Sequence, residues 1–240
     1  MKGGSHAFGA NVRDRRNSRC ARLQSTVLPA LALAFVVAYV ISGTLAIVGA
    51  ERDSRGLQLV FKPLTTLLLL GVVGFPETTF ARLVAAGVVL SVVGDIALLG
   101  QGNGAFIGGL VAFLLAHVAY IAAFAGFAVW SVHVVVVAAA VAITTGLVLR
   151  AIWAGAVGLH GPTIAYGVVI SAMVASAAAT VGGRLTGAPL VAVGAVLFYA
   201  SDASLALNRF RQPFPHSSIF TMGVYWLGQL GIAVVARWAS

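Results

Sequence analysis

From Thr26 almost to the C-terminus, apolar runs of about 20 residues follow one another with only short polar breaks between them. A helix of that length crosses the hydrocarbon of a bilayer. Lipid offers no hydrogen-bond partners to the backbone, so each run has to satisfy its own amides as a helix. The runs fall at about 26–50, 57–75, 81–100, 106–129, 132–150, 162–182, 188–207 and 217–238. The fold class read from them is all-α: a polytopic membrane helical bundle with eight transmembrane helices. Hydrophobic residues make up 60% of the chain and charged residues 9%, against roughly 25% charged in an average soluble domain. No stretch remains for a soluble catalytic domain.

Residues 1–25 are basic, contain glycines and lack apolar periodicity, so they are expected to form a disordered tail ahead of one domain over 26–240. The stretch from Thr26 to about Ala50 exceeds the roughly 7–15 residues of a signal-peptide core, which predicts a retained first helix. The linkers carry breakers, as in Glu51–Gly56, Pro76–Thr79, Gln101–Gly104, Gly183–Gly187 and Asn208–Pro215. Linkers this short make neighbouring helices antiparallel. The net charge of +9 suggests a nucleic-acid surface at first sight, but six of the 15 basic residues (Lys2, Arg13, Arg15, Arg16, Arg19, Arg22) precede the first apolar run. They read as a topological anchor, and no nucleic-acid partner is expected. With the N-terminus inside, Arg82, Arg184 and Arg237 join those six, while Arg52, Arg55, Arg150, Arg209 and Arg211 lie outside. This bias predicts an integral multi-pass protein of the cell membrane with both termini cytoplasmic. The single Cys20 excludes an internal disulfide.

Asp95 and Asp202 are the two acids lodged in apolar runs; Asp14, Glu51, Asp53 and Glu77 all fall in polar stretches. A carboxylate at mid-helix costs ~2.5–3.5 kcal/mol on insertion scales, so its retention points to function. Lys62 lies five residues into the second span, and Asp95 and Asp202 each lie five residues from the end of theirs. At about 1.5 Å per residue, helix parity puts all three roughly 7–8 Å below the same membrane face. His117 and Tyr120 share one helix face at i, i+3, Tyr166 follows Pro162 by a turn, and Tyr225 and Gln229 share a face at i, i+4. Taken singly, Lys62 reads as a snorkelling side chain, the tyrosines as belt or packing aromatics, and His117 as a satisfied interior histidine. Two acids against one lysine leave an acid over, and a shared, partly hydrated cavity accounts for the whole group. No phosphate-binding glycine loop, HExxH or GxSxG motif is present, and nothing in the sequence demands a metal.

The spacing of these residues resembles the YhhN-type lysoplasmalogenase family of eight-helix membrane proteins. The likeness rests on Phe61-Lys62-Pro63-Leu64, on Ser91-x-x-Gly94-Asp95-x-x-Leu98, and on Phe106 through Gly109 with Phe113, His117 and Tyr120. It continues through Pro162, Tyr166, Ile170 and Met173, then Gly194-x-x-x-Phe198-x-x-Ser201-Asp202-x-x-Leu205-Ala206 with Arg209-Phe210, and ends on Tyr225-x-x-x-Gln229. The resemblance implies a lipid substrate, a lysophospholipid whose vinyl ether bond is hydrolysed to a fatty aldehyde and a glycerophospho-ethanolamine or -choline, with no cofactor. Vinyl ether hydrolysis needs a proton on the distal carbon and then a base to activate water, and two carboxyl groups in a desolvated site supply both. One of Asp95 and Asp202 is expected to give the proton and the other to stabilise the cation. Lys62 would hold the ionised acid or a phosphate oxygen. His117, Tyr120, Tyr166, Ser201, Tyr225 and Gln229 would support water and polar substrate atoms, and Arg209 would meet the headgroup phosphate. A proton- or cation-coupled transporter would use the same acids and is expected to show broken helices. An intramembrane aspartyl protease would also need a peptide-binding pattern, which the sequence does not show.

Overall fold

A computed structural model describes residues 30–212 and 214–239. The basic tail and the start of the first apolar run lie outside the described residues. Eight helices are each long and apolar enough to cross a membrane: α1 (Ala30–Glu51), α2 (Arg55–Val73), α3 (Thr79–Ala97), α4 (Gly102–Ala125), α5 (Val132–Ile152), α6 (His160–Ala179), α7 (Ala188–Phe210) and α8 (Ser217–Trp238). No strand occurs among the described residues. The eight-span, all-helical reading of the sequence is what the structure shows.

Several boundaries differ from the apolar runs, because hydropathy does not register a polar first or last turn. α4 begins at Gly102, inside a stretch expected to be a linker; Gly102 enters it with φ 82° and Gln101 caps it in an extended conformation. α7 runs three residues past its expected end, carrying Asn208, Arg209 and Phe210 as helix. α3 starts where the Thr78 side chain accepts from the Ala81 amide at 3.2 Å, which satisfies one unpaired donor of the first turn. A single 3-10 turn, Thr180–Gly182, extends α6.

α3 packs against α4 and α7 against α8, with α2 and α6 bridging these pairs. Small residues allow the closest approach. At the α7–α8 crossing, a Cβ on Gly228 would lie 2.5 Å from the Gly194 carbonyl oxygen and 3.0 Å from the Phe198 amide. This crossing fixes the segment carrying Asp202 against the segment carrying Tyr225. Gly228→Val is therefore expected to destabilise the protein by about 1–3 kcal/mol, read as a lowered unfolding temperature in detergent. Gly223→Val, at a position with open space around it, is expected to leave that temperature unchanged. α5 is the most lipid-facing of the later helices, with only Val134, Val141 and Ile152 buried.

Candidate active site

The site lies in the half of the bundle formed by the start of α2, the end of α3, the start of α4, the end of α5, the start of α6, the end of α7 and the start of α8. Alternating helix direction brings these ends to one membrane face, as parity implied.

Asp95 is almost fully buried. One carboxylate oxygen accepts the Thr66 hydroxyl at 2.5 Å and the Tyr225 hydroxyl at 3.1 Å, while the other lies 3.7 Å from the Lys62 ammonium. Lys62 is therefore paired, with its side chain 14% exposed, instead of snorkelling alone. The Trp226 indole N–H donates to Thr66 at 3.3 Å, and Gly94 makes room for the Phe113 ring, which a Cβ would meet at 2.6 Å.

Asp202 accepts a short hydrogen bond from the Tyr166 hydroxyl. Its other close polar neighbour is His117, whose Nε2 stands 3.7 Å from the same carboxylate oxygen without a hydrogen bond. His117 is fully buried, its ring edge-on to Tyr166 and Phe198, and neither nitrogen has a hydrogen-bond partner among the described residues. Buried polar atoms left this way are uncommon.

Asp95 and Asp202 border one cavity of about 370 Å³, together with Lys62, Phe113, Ser201 and Tyr225. An outer cavity of about 550 Å³ continues from Lys62 past Asn208 to Arg209. A third, narrow and strongly apolar cavity of about 70 Å³ reaches Asp202 and Tyr166 from between α4, α5, α6 and α7. Leu98 and Leu205 line all three, so the cavities meet at that pair.

The other residues singled out from the sequence occupy distinct places. Tyr120 and Gln229 form a buried layer beneath Asp95: the Tyr120 hydroxyl donates to Gln229 at 2.6 Å, and the Gln229 amide donates to Ser91 at 2.9 Å and to Tyr225 at 3.4 Å. They brace Tyr225 and do not border the shared cavity. Ser201 is held by the Thr221 carbonyl at 2.9 Å. Arg209 stands at the outer mouth, donating to Asn103 at 3.0 Å with its guanidinium 5.2 Å over the Phe106 ring. Thr66 and Trp226 were not picked out in the sequence, and Ser91 entered only as part of the family motif, although Thr66 is one turn from Lys62 and Ser91 one turn from Asp95. Hydroxyls are common in membrane helices, and only the acid beside them marks these two.

Among the described residues no three His, Cys, Asp or Glu side chains cluster as a metal site. Each helix runs unbroken across its span, whereas a transporter was expected to show interruptions.

A model of the YhhN family matches residues 57–236. Human lysoplasmalogenase TMEM86A is 31% identical over 169 residues, 65% of each chain. Human lysoplasmalogenase TMEM86B is 32% identical over 161 residues, 67% of this chain and 66% of that one. Bovine lysoplasmalogenase TMEM86A is 28% identical over 162 residues, 65% of each chain. The chain thus spans about 65% of the length of these curated relatives. No solved structure matches. With the family model covering well over half of an eight-helix integral membrane protein whose motif residues gather at one site, the chain belongs to the YhhN family.

Proposed function

We propose that this protein is a membrane-embedded hydrolase that cleaves the vinyl ether bond of lysoplasmalogens, releasing a fatty aldehyde and glycerophosphoethanolamine or glycerophosphocholine. The observation that carries the reading is the shared cavity: Asp95 and Asp202 border one space, with Lys62 beside Asp95.

The surroundings of the two acids divide their roles. Asp95 receives two hydroxyl donors and an ammonium, the partners of an ionised carboxylate. Asp202 receives one hydroxyl and, among the described residues, has no cation bonded to it, which leaves an oxygen to carry a proton. Asp202 is the proton donor and Asp95 the stabilising base. The Asp202 proton forms a C–H bond at the distal vinyl carbon, and the positive charge spreads over the proximal carbon and the ether oxygen. Water bonds to that carbon as Asp95 takes one of its protons, giving a hemiacetal. Collapse returns the hemiacetal hydroxyl proton to Asp202 and breaks the bond to the glycerol oxygen, which takes the proton held by Asp95. One water is consumed and both carboxyl groups regain their starting states. His117, whose Nε2 stands 3.7 Å from Asp202, orients the water or the ether oxygen. Lys62 and Arg209, both on the outer cavity, take the headgroup phosphate.

The test uses purified protein in detergent. Aldehyde release is expected from a lysoplasmalogen. None is expected from the matching alkyl-ether lysophospholipid, which has no double bond to protonate, or from the ester analogue. Folded protein that releases no aldehyde, or that cleaves the ester equally well, would overturn the reading.

A further inference from the structure

The apolar cavity has a side whose construction the reaction does not explain. α5 and α7 are latched near mid-membrane, where the Tyr199 hydroxyl bonds Thr145 at 2.9 Å and Thr144 at 3.1 Å. Thr145 in turn bonds Ser171 of α6 at 2.8 Å. Toward the site face the seam closes again: the Phe210 carbonyl lies so near Gly155 that no Cβ fits, and the Phe210 ring meets Phe106 edge-on at 5.4 Å. These closures are separated by about 16 Å along α7, the rise from Tyr199 to Phe210.

Between them α7 presents Ala203 and Ala206, and α5 presents Val148 and Leu149. All four are half-buried and line the apolar cavity that reaches Asp202 and Tyr166. Two methyl side chains opposite two aliphatic ones leave a slot at hydrocarbon depth. The adjacent face of α5 is exposed at Val136, Ile143 and Leu147, so the slot is flanked by lipid-facing surface.

We infer that this slot is a lateral window that admits a single hydrocarbon chain of a lipid from the bilayer, placing its first carbons beside Asp202. One leaflet of hydrocarbon is about 15 Å thick, half the core, so a membrane lipid chain lies at the depth of the window. The polar cavity past Lys62 and Arg209 gives the attached phosphate a separate place, so the two ends of one lipid are sorted by chemistry on either side of Asp202. That the occupant is an alkenyl chain rests on the hydrolase reading; that it is a lipid chain rests on the lining.

The full chain in detergent is labelled with a lysophospholipid carrying a photoreactive diazirine partway along its chain, and the adducts are mapped by mass spectrometry. Adducts are expected on 148–152 of α5 and 203–206 of α7, reduced about tenfold in Ala206→Phe, the equivalent of about 1.4 kcal/mol of lost binding, and undiminished in Val136→Phe. Ala203→Leu makes a smaller intrusion and serves if the phenylalanine variant does not fold. Adducts confined to other faces, or undiminished in either folded window variant, would overturn the window. Aldehyde release in the same samples separates the two proposals. Window adducts without aldehyde from wild-type protein would overturn the hydrolase reading alone. Wild-type rates of aldehyde release in folded Ala206→Phe would overturn the window alone.

Discussion

Asp202→Asn is expected to lower aldehyde release by about 10²–10⁴-fold, the range of a lost general acid, with the fold intact. Asparagine has nearly the same shape and keeps a carbonyl oxygen to accept the Tyr166 hydroxyl, so the contacts of α7 with α6 persist. What the proposed mechanism loses is its proton donor, which lines both the apolar cavity and the shared one. Among the described residues no cation is bonded to Asp202, so removing its carboxyl group strands no partner charge there. The variant is therefore expected to elute and unfold as the wild type does. A rate within about twofold of wild type, a barrier change of less than about 0.4 kcal/mol, would show that the proton comes from elsewhere.

Asp95→Asn is expected to cost both activity and stability. Its side chain is 2% exposed and that of Lys62 14%, so removing the carboxylate leaves an ammonium with little water and no counter-charge. Breaking one side of a buried pair typically costs about 3–5 kcal/mol. Here the lower end is expected, because the Lys62 side chain retains some exposure and asparagine still accepts from Thr66 and Tyr225. Replacing both members, as Lys62→Met with Asp95→Asn, is expected to restore the unfolding temperature in detergent and leave aldehyde release lost. A single variant as stable as wild type would show that Lys62 does not depend on Asp95. Recovered activity in the double variant would show that Asp95 is not the base.

The fold was legible in the sequence because lipid removes most alternatives. Long apolar runs must be helices, and short linkers must alternate their direction, so parity alone carried Lys62, Asp95 and Asp202 to one face. The ends were less legible. Gly102–Gly104 reads as a breaker, yet glycine costs little in a first turn whose amides have no intrahelical partners. Asn208 and Arg209 read as linker, yet they continue α7, with Phe210 against Phe106. Within the site, acids at unusual depth were visible by their cost, whereas Thr66 was not, since a hydroxyl in a membrane helix can bond its own backbone. Thr65 does so to the Phe61 carbonyl at 2.6 Å, while Thr66, one residue on, bonds Asp95. Neighbouring threonines with opposite roles carry no sequence mark that tells them apart. The pairing of Tyr120 with Gln229 depends on how α4 faces α8, which periodicity on each helix leaves open.

The central claim is that two carboxyl groups act in one reaction from one cavity, and a double-mutant cycle of aldehyde release tests it most directly. Wild type, Asp95→Asn, Asp202→Asn and the double variant are compared in the same detergent with the same lysoplasmalogen, each confirmed as folded. Groups that serve one reaction as a unit are strongly non-additive. The double variant is therefore expected to fall no more than a few-fold below the slower single variant, with both singles far below wild type. Full activity in either single variant, or losses that simply multiply in the double, would contradict the account.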